Sequence, residues 1–137
     1  MGGPLVNPPL LRNVDCIRLA VDDLDAAIGF YERLGQKLIW RRPVAADLRL
    51  PESNTELVLQ AEEPGIEVDF LVDDAERAVE RFVAAGGTLV GGPFEIEIGR
   101  CAVVADLWQN TFVLLDMSRG PLPETRVQDE AGTGGNG

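Results

Sequence analysis

The feature that most constrains the fold is an internal repeat. Residues 19–39 read LAVDDLDAAIGFYERLGQKLI and residues 70–90 read FLVDDAERAVERFVAAGGTLV, and the two align without a gap at an offset of 51 residues. In each copy a short apolar run precedes Val-Asp-Asp, apolar residues then recur at helical spacing, and Gly35 or Gly86 follows. The repeat predicts that one supersecondary unit occurs twice in a chain of 137 residues.

The first copy predicts a strand, a helix and three further strands. Apolar residues alternate over residues 16–21, which is typical of a strand. Asp22 is predicted to cap the following helix, with Asp25 in the capping-box position, and Gly35 supplies the left-handed stop. The later apolar runs, separated by Pro and turn residues, predict strands over residues 37–40, 46–50 and 56–60.

The second copy predicts the same elements in the same order. Residues 67–72 form a predicted strand, Asp73 the helix cap with Glu76 as its partner, and Gly86 the helix stop. The remaining predicted strands cover residues 88–92, 95–106 and 111–116.

These elements predict an α+β fold made of two tandem βαβββ modules, residues 13–62 and 65–118, whose curved mixed sheets face each other around a cleft. We expect a domain over residues 13–119, an irregular arm over residues 1–12 and a disordered tail over residues 120–137. A helix covers only one face of its sheet, so the bare faces are expected to enclose a binding site. Packing to a filled core is the alternative.

Composition excludes several functions. The chain has no histidine, which removes the Ser-His-Asp and Cys-His nucleophile arrangements and the commonest metal ligand. A net charge of −11 disfavours nucleic acid. The sequence has no apolar run long enough to predict a membrane span and no basic leader that predicts a signal peptide. Two cysteines are too few for a disulfide framework, so we expect a cytoplasmic protein.

Two segments resemble a known superfamily. Residues 21–35, V-D-D-L-D-x-A-x-x-F-Y-x-x-L-G, resemble the opening signature of the vicinal oxygen chelate superfamily, which includes glyoxalase I, extradiol dioxygenases, and fosfomycin and bleomycin resistance proteins. Residues 106–115, D-x-x-x-N-x-x-x-L-L, are similar to its closing segment, although Leu107, Trp108 and Gln109 depart from the usual turn. The resemblance covers residues 14–116 and implies a small-molecule site and a homodimer.

The resemblance also implies where a metal would be held. Metal-dependent members place four ligands on the first and last strand of each module, and here those positions are Cys16, Glu56, Glu67 and Val113. Two carboxylates and a thiol form an uncommon catalytic set, and valine cannot ligate. We therefore expect no metal; the alternative is a divalent ion such as Zn²⁺ or Ni²⁺ held by Glu56, Glu67 and Cys16.

Strand alternation extends the predicted lining of the cleft. If Cys16 faces the cleft, Arg18 does too, and the same parity adds Gln60 and Asp69 to Glu56 and Glu67. Three carboxylates and one arginine predict an acidic pocket that could bind a cation. The same pocket could instead place a proton acceptor near a substrate carbon, and the candidate general base is then Glu67 or Glu56. Alternatively, Arg18 pairs with Asp69, the two glutamates face solvent and Cys16 is a small core residue.

Two tryptophans complete the candidate site. Trp40 lies at the end of a predicted strand beside Arg41 and Arg42, where it is expected to stack on a ligand or join a dimer contact. Trp108 lies in a predicted loop and is expected to pack on the arm, at an interface or over a ligand. The predicted ligand-binding residues are Cys16, Arg18, Trp40, Glu56, Gln60, Glu67, Asp69 and Trp108.

The sequence therefore predicts a small-molecule-binding protein of the glyoxalase/bleomycin resistance type, without a catalytic metal, that holds its ligand in an acidic cleft between the modules. The alternative is a metal-dependent lyase, isomerase or dioxygenase of the same superfamily that uses Glu56 and Glu67.

Overall fold

The computed structural model describes residues 8–120, which adopt a mixed α+β architecture with two helices and eight strands. The elements are β1 (Asn13–Ala20), α1 (Leu24–Arg33), β2 (Leu38–Arg41), β3 (Ala45–Arg49), β4 (Glu56–Gln60), β5 (Ile66–Leu71), α2 (Ala75–Ala84), β6 (Thr88–Ile96), β7 (Gly99–Ala105) and β8 (Thr111–Asp116). Neither of these helices is long and apolar enough to cross a membrane. The predictions for residues 1–7 and 121–137 lie outside the described residues.

The described chain divides into two compact units. The first unit comprises residues 15–68, and the second comprises residues 69–120 together with residues 8–14. The boundary between the units lies within β5, between Val68 and Asp69.

The first unit is a mixed sheet with α1 on one side. Its strands follow the order β2-β3-β4-β1-β5; β1 is parallel to β4, and β2-β3-β4 are antiparallel. An apolar cluster fills the space between the sheet and α1, and its buried residues are Leu24, Ile28, Ala46, Leu48 and Leu59. Burying these side chains is the main stabilisation of the unit.

The second unit repeats this arrangement with α2. Its strands follow the order β5-β8-β7-β6, with β5 parallel to β8 and the other neighbours antiparallel. Its buried apolar cluster is Val72, Ala78, Val79, Ala102, Val104 and Leu114. Residues 8–12 form no helix or strand, yet Leu10 packs on this cluster and Arg12 pairs with Asp73 at 2.8 Å.

Both helices begin one residue later than the sequence predicts. Asp23, and not Asp22, caps α1 by accepting a hydrogen bond from the Ala26 N–H, and Asp74, and not Asp73, caps α2. The sheet explains the shift, because the residue before each aspartate pair still donates to a neighbouring strand: Val21 N–H to Gln60 O at 3.0 Å and Val72 N–H to Leu115 O at 2.9 Å. The chain therefore leaves the sheet later than the local sequence suggests.

The predicted strand over residues 95–106 is wrong as a single element. The chain turns at Glu97 and Ile98, so that β6 ends at Ile96 and β7 begins at Gly99. Gly99 allows this turn to approach β8: a Cβ added there would lie 2.2 Å from the backbone oxygen of Asp116. The predicted helix stops are confirmed, since Gly35 and Gly86 have φ angles of +97° and +115°.

Candidate functional site

Most of the predicted site residues of the first unit lie together on the side of its sheet away from α1. Strand register places Cys16 beside Glu56, Val58 beside Arg18 and Asp47, and Gln60 beside Ala20 and Ala45. Register partners point to the same side of a sheet, so these side chains share one surface. We call it the Glu56 face, and its members are Cys16, Arg18, Trp40, Asp47, Arg49, Glu56, Val58, Gln60 and Glu67.

The floor of the Glu56 face is apolar and well packed. Cys16, Trp40 and Val58 form a buried cluster, with Cys16 exposed over only 3% of its surface. Cys16 is therefore placed as a core residue beside Glu56, which is the alternative left open by the sequence.

Arg18 and Glu67 form an ion pair on this face. Their Nε and Oε2 atoms lie 3.7 Å apart, and both side chains keep nearly half of their surface exposed, 47% and 42%. Such a pair is weakly stabilising and exchanges readily with solvent or ligand. In this arrangement Arg18 competes with any metal or substrate proton for the carboxylate of Glu67.

Two functional candidates on β3 were missed by the sequence analysis. Asp47 is almost fully buried, at 1% exposure, and Arg49 is exposed at the register position of Glu56. The face therefore carries two arginines, Arg18 and Arg49, together with the three carboxylates of Asp47, Glu56 and Glu67. Both residues alternate with the buried Leu48, and this alternation was the only signal for them in the sequence. It could not be used without knowing which side of β3 is covered by α1.

Trp40 lies in the floor of this face and not at an exposed strand end. It is 7% exposed, packs with Cys16 and Val58, and lies at the register position of Asp47 beyond an irregularity in β2. The guanidinium carbon of Arg42 lies 4.5 Å from the centroid of the indole ring, a cation–π contact. The role of Trp40 in ligand binding stays a prediction.

The side chain of Gln60 and the backbone N–H of Trp108 make hydrogen bonds that stabilise local turns. The Oε1 atom of Gln60 accepts hydrogen bonds from the backbone N–H groups of Glu62 and Glu63, so its amide stabilises the turn after β4. Trp108 is 76% exposed, in a loop held by Asp106, which accepts hydrogen bonds from the backbone N–H groups of Trp108 and Asn110. Their predicted contacts with a ligand stay predictions.

The donor set fits a metal poorly. Asp69 is buried in the second unit at the register position of Val113, whose hydrocarbon side chain stands where the resemblance implies the fourth ligand. In the first unit the thiol of Cys16 is packed in an apolar cluster and Glu67 pairs with Arg18. Within residues 8–120 no group of three or more Cys, Asp or Glu side chains is arranged to hold a metal ion.

Asp15 is a carboxyl group with a raised pKa that the sequence analysis did not consider. Burial raises the pKa of Asp15 above its usual range, although the positive charge of Arg18 opposes this effect. Asp15 precedes Cys16 on β1, so its side chain is on the opposite side of the strand from the Glu56 face.

Comparisons with known proteins agree with this architecture. The family model of the Glyoxalase/Bleomycin resistance protein/Dioxygenase superfamily matches residues 13–114. Methylmalonyl-CoA epimerase from Mycobacterium tuberculosis is similar in structure with a TM-score of 0.67 and 22% identity, over 88% of this chain and 95% of that one. No curated protein sequence matches this chain.

Two further structures show the same similarity. The Streptomyces coelicolor methylmalonyl-CoA epimerase in complex with 2-nitronate-propionyl-CoA has a TM-score of 0.64 and 19% identity, over 84% of this chain and all of that one. An extradiol ring-cleaving dioxygenase from B. fuscum has a TM-score of 0.58 and 21% identity; the match covers 83% of this chain but 35% of the dioxygenase. At these identities the similarity establishes the fold.

Proposed function

Because the chain belongs to the Glyoxalase/Bleomycin resistance protein/Dioxygenase superfamily, we propose that it binds a small organic molecule on the Glu56 face, without a catalytic metal. The observation that carries the proposal is the contrast between the two sides of the first sheet. The fully buried cluster between this sheet and α1 is apolar, whereas the Glu56 face sets five charged side chains around an apolar floor.

Charged groups beside a packed floor are typical of a ligand site. Asp47 is a buried carboxylate of this face, and burial of a charge is costly unless it is paired, so a core that serves stability alone would have an apolar residue here. The apolar cluster of Cys16, Trp40 and Val58 offers surface to the hydrocarbon part of a ligand, and Glu56 and Arg18 offer polar contacts at its margin. This arrangement suits capture of a compound, as in the bleomycin resistance proteins of the superfamily.

The metal-free part of the proposal rests on side-chain chemistry. Of the four positions where metal-dependent members place ligands, Val113 has no donor atom, Cys16 is buried among apolar residues and Glu67 is paired with Arg18. Glu56 alone is a poor site, since divalent ions in catalytic centres usually need three protein ligands. A lyase, isomerase or dioxygenase that uses Glu56 and Glu67 with a metal is the competing function, and several relatives of similar fold are named as enzymes.

A ligand screen in the presence of a chelator tests the proposal. The melting temperature of the purified protein is measured with a library of small cations, zwitterions, carboxylates and neutral compounds, all with excess EDTA. We expect at least one chemical class to raise the melting temperature by mass action. The increase is expected to persist in EDTA and to shrink in Glu56→Gln.

Glu52→Gln is the matched control, because Glu52 is an exposed glutamate of the same unit in the turn before β4. Its ligand-induced increase should equal that of the unmodified protein. The proposal is wrong if no compound raises the melting temperature, if EDTA abolishes every increase, or if Glu56→Gln and Glu52→Gln respond alike.

A further inference from the structure

Trp40 and Arg42 form a compact pair of hydrogen-bond donors at the edge of the Glu56 face. The guanidinium carbon of Arg42 lies 4.5 Å from the centroid of the Trp40 ring, so the two planar groups are in contact. Trp40 is more than nine-tenths buried, and the backbone of Arg42 is fixed by a 2.8 Å hydrogen bond from its N–H to the oxygen of Ala45. We call these two residues the Trp40–Arg42 donor pair.

Both members of the pair have a buried N–H group that lacks an acceptor. The indole Nε1 of Trp40 and the Nε of Arg42 are inaccessible to solvent, and no atom of residues 8–120 accepts a hydrogen bond from either. Buried donors in folded proteins are nearly always paired, and indole and guanidinium groups donate only. A group that binds to this pair must therefore have hydrogen-bond acceptors.

The charge of Arg42 indicates what kind of acceptor is needed. The adjacent Arg41 points to the other side of the strand, where its guanidinium pairs with Asp25 of α1. In contrast, no carboxylate of the described chain lies within 4.0 Å of the Arg42 guanidinium. One of two neighbouring arginines is neutralised within the protein, and the other is left with its positive charge on an aromatic ring.

We propose that the Trp40–Arg42 donor pair binds a carboxylate group of the small-molecule ligand. A carboxylate has two oxygens in a plane, so that one accepts from the indole N–H and the other from the guanidinium, while its charge balances Arg42. A neutral amide would supply an acceptor but leave the charge unbalanced. The inference rests on the proposed function and adds the chemical class of the ligand.

The indole N–H group of Trp40 reports directly on this contact. The chain has two tryptophans, so a ¹⁵N–¹H correlation spectrum contains two indole signals, and the spectrum of Trp108→Phe identifies the one from Trp40. The unmodified protein is then titrated with acetate, benzoate and succinate at constant ionic strength. Acetamide, benzamide and succinamide are the uncharged controls.

We expect at least one carboxylate to shift the Trp40 indole signal in a saturable manner, and its matched amide to leave the signal nearly unchanged. Arg42→Gln should lower the affinity of the protein for this carboxylate by about tenfold or more, because a charge-assisted hydrogen bond is lost. Arg41→Gln is the matched control, because the adjacent arginine is directed to α1, and it should retain the affinity of the unmodified protein.

Three results would overturn the inference: no carboxylate moves the Trp40 signal, the amides move it equally, or Arg41→Gln and Arg42→Gln weaken binding alike. If a compound from the melting-temperature screen binds through Glu56 without moving this signal, the proposed function stands and the donor-pair inference fails. If no compound binds in either experiment, both fail.

Discussion

Asp116 is a buried carboxylate that stabilises three backbone segments of the second unit. It accepts hydrogen bonds from the N–H groups of Ala75 at 2.7 Å, Arg100 at 3.0 Å and Ser118 at 3.1 Å. Burial acts to raise the pKa of Asp116, but these hydrogen bonds outweigh it, and the pKa is lowered from its usual range. The residue thus joins the start of α2 to the β6–β7 hairpin and to the chain after β8.

The lowered pKa of Asp116 predicts a loss of stability in acid. A carboxyl group with a lower pKa in the folded state stabilises the protein fully above its unfolded value of about 3.9, and this stabilisation disappears as the pH falls through the folded pKa. Asp116→Asn should therefore lower the free energy of unfolding at pH 7 by about 1–3 kcal/mol and flatten its dependence on pH below about 4. Urea unfolding from pH 2.5 to 7 measures both; an unchanged slope would contradict the account.

Gly99 is predicted to be the least replaceable of the glycines in the hairpin region. An added Cβ would meet the Asp116 backbone oxygen at 2.2 Å and its Oδ1 at 2.5 Å, so Gly99→Ala should destabilise the protein by about 1–3 kcal/mol. Gly29→Ala is the control, because its Cβ would make only an ordinary 3.5 Å contact with Arg33 within α1, and alanine should stabilise that helix by about 0.5–1 kcal/mol. Thermal unfolding distinguishes them, and equal melting temperatures would refute the prediction.

At the scale of single residues, the sequence was informative where a repeat or a motif marked a position. The resemblance implied ligand positions at Cys16 and Glu56, and the structure makes these two residues register neighbours. Asp47 and Arg49 belong to neither the repeat nor a family motif. Their inclusion depends on the side of β3 that α1 covers, which is a long-range property that local alternation leaves ambiguous.

The helices show how sheet hydrogen bonds decide where an element begins. Each helix follows a pair of aspartates, and the local capping rules accept either member. The backbone bond from Val21 to Gln60 keeps the chain in the sheet until the second aspartate of the first pair, and Val72 is held by Leu115 in the same way. The existence of both helices was therefore predictable, whereas their first residues depended on strand pairing.

The cap assignment predicts opposite outcomes for two adjacent aspartates. Asp23→Ala should lower the free energy of unfolding by about 1 kcal/mol, because the Ala26 N–H loses its acceptor. Asp22→Ala should change it by less than about 0.5 kcal/mol, since Asp22 is exposed and outside the helix. Denaturant unfolding of the two variants gives the comparison. A larger effect for Asp22→Ala would restore the cap predicted from the sequence.

At the scale of the whole molecule, the duplicated pattern predicted an α+β chain with two helices because each copy contained a complete strand-helix signal. The single strand predicted over residues 95–106 was wrong, because the alternating run EIEIG continues through the turn at Glu97 and Ile98 without a Pro or Asn-Gly signal. Asp47 and Arg49 were also left out of the predicted site. Both errors concern contacts between distant segments.

The resemblance to a family that forms dimers predicts a homodimer. Large apolar side chains of the described chain are exposed in both units, including Phe30 and Leu34 near α1 and Val90 and Phe94 of β6. Light scattering coupled to gel filtration should give twice the mass of one chain, and a single-chain mass at micromolar concentration would contradict the prediction.

The central claim is that the Glu56 face serves an organic ligand and not a catalytic metal. Calorimetric titration of the metal-stripped protein with Zn²⁺, Ni²⁺, Mn²⁺ and Fe²⁺ tests it most directly, with Glu56→Ala and Glu67→Ala as controls. We predict no stoichiometric binding by any of the four ions, because Val113 offers no ligand, Cys16 is buried and Glu67 pairs with Arg18. Tight stoichiometric binding that both substitutions abolish would contradict the claim and establish the metal-dependent alternative.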